Sequence, residues 1–230
     1  MPTLILVRHG RTAANADGIL AGRTRALGLD LTGQSQAARL AERLAEVPLS
    51  LVVSSPLLRT MQTARKIADG QPEEVPVRRD AGLVECDYGR WTGRRLADLA
   101  KEPLWTTVQQ QPSAVIFPGG EAMVAMAARA LEAVRRIDRR VARRHGERAV
   151  WVAVSHGDVI KAILADALGT PLDLFQRIAV SPGSASAITY GTHRPTVHHL
   201  NDLGSDLGGL VPPSDRSGAP SGDAPVGGGA

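Results

Sequence analysis

"LILVRHGRTAAN", Leu4–Asn15, decides the fold. The residues Thr3–Val7 are too short and too aliphatic for a helix and read as a buried strand. The run stops at Arg8-His9-Gly10, where a cation and an imidazole replace the next aliphatic side chain. In an open α/β sheet, ligands gather beyond the carboxyl ends of the strands. A strand that ends in these groups is therefore expected to deliver them to a site.

The same alternation continues downstream. Thr32 reads as an N-cap, followed by Ala37, Leu40, Ala41, Leu44 and Val47 at helical spacing. Leu49–Val53 is a second buried strand, and Ser55-Pro56 reads as a cap with proline at the first helical position. The helix they open would carry Leu57, Leu58, Met61, Ala64 and Ile67 on one face. Val75–Arg78 is expected to be a short strand and Arg94–Lys101 a short helix. Glu121–His145 predicts a long helix stopped by Gly146. Ala149–Val154 is another buried strand, with a helix from about Asp158 to Leu168 before Gly169. Ala185–Tyr190 and Thr196–Leu200 could pair as closing strands. Strands alternating with helices predict an α/β three-layer sandwich, a mostly parallel central sheet with helices on both faces. The domain is expected to span residues 1–200. From Asn201 the chain turns rich in Gly, Pro, Ser and Asp without periodicity, so residues 201–230 are expected to form a disordered tail.

Bulk properties exclude several classes. A chain of 230 residues with 43% hydrophobic side chains suits one sizeable domain. No apolar run is long enough to span a membrane, and no basic leader precedes the first strand, so neither a membrane partner nor a signal peptide is expected. The lone cysteine, Cys86, cannot form an internal disulfide, which fits a cytoplasmic location. The formal charge is +4, and arginines crowd Arg129–Arg148. Without aromatic residues for stacking, this stretch reads as the solvated face of a long helix rather than a nucleic-acid patch.

The candidate site follows from two short repeats. His9 closes "VRHG" and His156 closes "VSHG", each after a strand and before a glycine, Gly10 or Gly157. Glycine leaves a reachable backbone amide, and the helix after His156 offers its free N–H groups to an anion. Arg8 sits beside His9, and Arg59 falls in the first turn of the helix after Ser55. Two imidazoles and two guanidinium forks would suit a compact anion such as phosphate.

"LVRHGRTAAN" resembles the R-H-G-x-T-x-x-N signature of the histidine phosphatase superfamily, also called phosphoglycerate mutase-like. Ser54–Ala64 ("SSPLLRTMQTA"), Leu83–Gly93 ("LVECDYGRWTG"), Phe117–Glu121 ("FPGGE") and Val154–Ala162 ("VSHGDVIKA") resemble the family's later blocks in order. The resemblance covers about Thr3 to Leu200. It implies that His9 is the nucleophile, transiently phosphorylated on a ring nitrogen. Arg8, Arg59 and His156 would hold the phosphoryl group, Asn15 would add a hydrogen bond, and Glu85 would be the proton donor to the leaving oxygen. Neither a metal nor a nucleotide cofactor is implied, and a homodimer is possible. His9 must be neutral to attack, and its cationic neighbours should favour that form. Glu85 must be protonated, so burial should hold its pKa up. Asp87 is a rival acid, since an extended segment would point Glu85 and Asp87 to one side and Cys86 to the other; the family pattern favours Glu85.

Family mutases carry an arginine and histidine after the acid, then a lysine that grips a second acidic group. Here Cys86 and Asp87 replace the former and Leu96 occupies the lysine position, so water is the expected acceptor and the substrate is a small phosphorylated metabolite. A phosphoglycerate mutase-type phosphomutase and a non-catalytic phospho-ligand-binding regulator are the alternatives. A serine hydrolase is disfavoured because Ala153–Gly157 lacks the first glycine of a nucleophile elbow. A zinc site is disfavoured because His198 and His199 are adjacent and would face opposite ways in a strand. Leu20, Ala21, Gly22 and Arg23 should border the pocket mouth. Trp105 and Phe117 could border it too, or pack a lid shut.

Overall fold

Six strands build one sheet in the order β3-β2-β4-β1-β5-β6. They are β1 (Thr3–Arg8), β2 (Leu49–Ser54), β3 (Val77–Arg79), β4 (Val150–Ser155), β5 (Ala185–Tyr190) and β6 (Pro195–Asp202). The first four are mutually parallel, and β5 and β6 close one edge antiparallel. The computed structural model describes residues 1–204. The expected tail lies outside the described residues from 205 onward. Asn201 and Asp202 belong to β6 rather than to that tail, and the Asn201 side-chain oxygen accepts from the Ser181 amide at 2.6 Å.

The helices are α1 (Ala13–Ala16), α2 (Leu31–Leu44), α3 (Leu58–Asp69), α4 (Leu96–Leu99), α5 (Pro103–Gln110), α6 (Met123–His145) and α7 (Gly157–Leu168). Strand periodicity sorts them into two layers. Ile5 and Val7 of β1 pack with Leu40 and Leu44 of α2 and Ile67 of α3. Leu4 and Leu6 pack on the opposite face with Met126 and Val134 of α6 and Ile163 of α7. The expected three-layer sandwich is therefore present.

Two expected caps moved. Asp30, not Thr32, caps α2, its carboxylate accepting from the Gly33 amide at 2.7 Å. Thr32 lies inside the helix, where its hydroxyl accepts from Arg11 instead. Ser55 does not cap α3, which starts at Leu58 after a capping residue, Leu57, that has no side-chain bond. The Ser55 hydroxyl is committed to His156. The long helix begins at Met123 rather than Glu121, because the Glu121 carboxylate is drawn into the loops described below.

Register sets the site. Arg8 lies opposite Ser155 in the parallel β1–β4 pair, and Ser54 lies opposite Val154 in β2–β4. The residues that follow, His9, His156 and Ser55, therefore leave three neighbouring strands at one height. The turn after His9 is fixed by a close approach of two glycines. A Cβ on Gly10 would strike the Gly33 carbonyl, and one on Gly33 would strike the Arg11 carbonyl, so backbone packs directly on backbone. Gly33→Ala should destabilise the fold by about 1–3 kcal/mol, the usual penalty for overpacking. Thermal denaturation checks this, and an unchanged Tm would show that the loop has room to yield.

Candidate active site

The site is assembled around one buried cation. Arg59, 1% exposed, donates from Nε to His9 Nε2 at 3.2 Å and from Nη2 to His156 Nδ1 at 3.3 Å. Carbonyls of the loop between α1 and α2 hold the same guanidinium, Gly22 at 2.7 Å and Thr24 at 3.1 Å. Arginine only donates, so both contacted imidazole nitrogens carry lone pairs. Each ring's proton must then sit on its other nitrogen. His9 Nδ1 donates to the Gly10 carbonyl at 2.7 Å, and His156 Nε2 donates to Ser55 Oγ at 2.8 Å. The two rings meet edge to face with centroids 5.2 Å apart.

Electrostatics agree with this protonation. Burial, then the charges of Arg59 and Arg8, hold the His9 pKa well below its ordinary value. Burial and Arg59 do the same to His156. Both rings are therefore neutral near neutrality. Arg8 ends β1, bonds the Val180 carbonyl through Nη1 at 2.6 Å and remains a cation, although burial lowers its pKa to about 10.

Glu85 is 4% exposed and takes the Cys86 amide on Oε1 at 2.9 Å. Burial, then the charge of Asp158, raises its pKa to about 7, with Arg59 and Arg8 opposing. The segment that carries it is clamped from behind. Arg129 of α6 donates to the carbonyls of Gly82, Val84 and Glu85, and Arg23 donates to the Glu85 carbonyl. Glu121 joins the two arginines, accepting from Arg129 at 2.6 Å and from Arg23 at 2.8 Å, and also takes the Asp87 amide.

Asp87 is turned elsewhere. Its carboxylate caps the Gly89 amide at 3.1 Å and pairs with Arg23 at 3.4 Å. Glu85 lines the pocket described below and Asp87 does not, because the Gly89 amide and Arg23 take the Asp87 carboxylate. Cys86 is buried in the core, and burial pushes its thiol pKa up, which makes it inert packing.

His9, Arg59 and Glu85 line a narrow pocket with Asn15, Ala21, Gly22, Leu20, Ile19 and Leu96. Its free space is about 20 Å³, room for little more than one water. Arg8 and His156 lie deeper and are buried, and Gly157 opens α7 beside them. The Asn15 side-chain oxygen is engaged in a capping box with Thr12, so any contact to a ligand falls to its amide nitrogen. Trp105 and Phe117 do not line this pocket: Trp105 stacks on Trp91, and Phe117 is edge-on to Tyr88 and Trp91. Among the described residues, no three His, Cys, Asp or Glu side chains group as a metal site requires.

Sequence reasoning missed Ser55, Asp158, Tyr88, Arg129 and Glu121. The Tyr88 hydroxyl donates to Asp158 Oδ2 at 2.6 Å, which keeps a second carboxylate beside the acid. In sequence, Asp158 looks like a first-turn helix residue that complements the dipole.

The chain belongs to the histidine phosphatase superfamily: the model of its branch 1 matches residues 4–203. It is 33% identical over 208 residues to phosphoserine phosphatase 1 of Hydrogenobacter thermophilus, covering 87% of this chain and 92% of the relative. It is 32% identical over 196 residues to a probable phosphoglycerate mutase GpmB of Proteus mirabilis, covering 83% and 86%. Its fold is similar to the crystal structure of a putative alpha-ribazole-5'-P phosphatase from Escherichia coli, with a TM-score of 0.76, 28% identity and coverage of 87% and 96%.

An NMR titration of the glutamate carboxyls should show one near 7, absent in Glu85→Gln. In Asp158→Asn the same carboxyl should titrate lower by about half a unit or more, since a like charge is gone. A Glu85 that titrates at an ordinary value of about 4 in the wild type would contradict the electrostatics described.

Proposed function

We propose that the protein hydrolyses phosphomonoesters of largely uncharged alcohols through a phosphohistidine on His9 Nε2. The observation that carries this reading is the Arg59 hydrogen bond to His9 Nε2, which fixes that nitrogen as the lone pair facing the pocket. An incoming phosphoryl group would draw the guanidinium from the imidazole onto its own oxygens. The lone pair is thereby freed as the phosphorus arrives. Arg8 and Arg59 would stabilise the equatorial oxygens, and the Asn15 amide would add a hydrogen bond. His156 would join them as Arg59 leaves its Nδ1, by carrying its proton on that nitrogen while the Ser55 hydroxyl turns to donate to Nε2. The His9 Nδ1 proton, held by the Gly10 carbonyl, would spread the positive charge that attack creates.

The step balances with one acid. Nε2 bonds to phosphorus as the ester P–O bond breaks, and the leaving oxygen takes the Glu85 proton. Water then attacks the phosphohistidine while the Glu85 carboxylate takes a proton from it. Inorganic phosphate leaves and both side chains return to their starting forms. The two arginines supply the charge stabilisation that metal ions provide elsewhere, so the scheme needs no metal.

Water rather than a second alcohol is favoured by the pocket wall. Leu96 lines it, with Ala14, Ile19, Leu20 and Ala21, and Arg23 at its rim is spent on Asp87 and Glu121. Among the described residues, no cation beyond Arg59 lines the pocket to grip a second acidic group, as a glycerate mutase requires. The neutral wall likewise favours a substrate whose organic part is uncharged next to the phosphate. Relatives of comparable identity named as a phosphatase and as a probable mutase leave the choice to this local chemistry.

Glu85→Gln should separate leaving groups. Nitrophenolate departs without a proton, so kcat for nitrophenyl phosphate should fall only modestly. For an alkyl phosphate the loss should be roughly a hundred-fold or more. Steady-state assays on both esters check this. Equal losses would remove Glu85 from the acid role, and isomerisation of a phosphoglycerate faster than phosphate release would favour the mutase reading.

A further inference from the structure

The arginines of α6 do not form one uniform solvated face. Arg139 and Arg143 are exposed on the helix. Arg136, Arg140 and Arg144 follow one another at intervals of one turn and form one wall of a cleft beside β3, the edge strand; Arg136 is half-buried there, and Arg140 and Arg144 are exposed. Arg78 and Arg79, from β3 itself, form the opposite wall. The floor between them is aliphatic, made by Leu51, Val53, Ile137 and Val141. The cleft holds about 420 Å³, against about 20 Å³ for the pocket at His9. That falls in the usual range for a small-molecule site.

Charge in this cleft is nearly all of one sign. Among the described residues, Asp80 is the one carboxylate that lines it, and its Oδ2 is bound to Arg136 at 2.7 Å. Among the described residues, no ion pair reaches Arg78, Arg79, Arg140 or Arg144. Four arginines from two separate elements thus line the cleft, and none of them takes part in an ion pair among the described residues. The three helix arginines are spaced about 6 Å apart along the axis, and their planar forks suit phosphate oxygens. A concave aliphatic floor suits a ring or other apolar body better than an extended acidic chain does.

We propose that this cleft is a second ligand site, separate from the phosphoryl pocket, for a small anion bearing two or more phosphate charges on an apolar body. A nucleoside diphosphate is the simplest example of that chemistry. The arginines of both walls bind the phosphates, and Leu51, Val53, Ile137 and Val141 take the ring system.

Titration calorimetry of the full chain with α,β-methylene-ADP, which resists hydrolysis, tests the assignment. The double variant Arg140→Glu/Arg144→Glu should weaken binding at least tenfold and leave nitrophenyl phosphate turnover within about twofold. The double variant Arg139→Glu/Arg143→Glu makes the same charge change on the helix outside the cleft, and should change binding by no more than about threefold. Equal losses in the two variants would reduce the site to diffuse attraction and overturn it. So would three other results: no binding at millimolar probe, equal affinity for inorganic pyrophosphate, or displacement by hexaglutamate as effective as by the nucleotide. Binding that survives the cleft variant but is lost in Arg59→Ala would place the probe at His9 and also overturn the proposal.

Discussion

Everything in the site depends on the Arg59 guanidinium held between two neutral imidazoles. A buried cation is expensive unless its donors are satisfied. Arg59 meets that need with His9 Nε2, His156 Nδ1 and the carbonyls of Gly22 and Thr24. The same contacts dictate both tautomers, and the charge of Arg59 adds to burial in lowering both imidazole pKa values. The free protein therefore holds the His9 Nε2 lone pair in a hydrogen bond that an arriving phosphate is well suited to break, since a dianion competes better for a guanidinium than an imidazole lone pair does.

The acid depends on the opposite effect. Burial works against the charged form of every group, and at Glu85 that raises a carboxyl to about 7, while at His9 it lowers an imidazole. Two groups in one pocket are thus pushed towards their neutral forms by a shared low-dielectric setting. Asp158 strengthens the effect on Glu85 and is itself held by the Tyr88 hydroxyl. Arg129 contributes from further back, by holding the carbonyls of Gly82, Val84 and Glu85, and Glu121 ties it to Arg23. Burying this much charge costs stability, a common feature of sites built for chemistry.

Much of this was legible in the sequence. Aliphatic runs ending in Arg8-His9 and Ser155-His156 located the strands and the site edge, because strand burial and ligand placement both leave local signals. The family blocks supplied His9, Arg59, Glu85 and His156. What was not legible is whatever depends on contacts distant in sequence. Ser55 before a proline carries the same local signal as a helix cap, and only the register of β2 against β4 shows that its hydroxyl serves His156. Arg129 and Arg140 look alike on a helical wheel, yet one clamps the acid loop and the other walls a cleft beside β3. A period-2 argument for Asp87 sees only the spacing along the chain, and Arg23, distant in sequence, helps draw its carboxylate away from the pocket.

The central claim is that His9 attacks through Nε2, the nitrogen facing Arg59. Rapid alkaline quench during turnover of a phosphomonoester, followed by mass spectrometry and phosphorus NMR of the labelled peptide, tests it most directly. The account predicts a phosphoryl group on His9 at Nε2, and none in His9→Ala. A phosphoryl group on Nδ1, on His156, or on no histidine at all would contradict it.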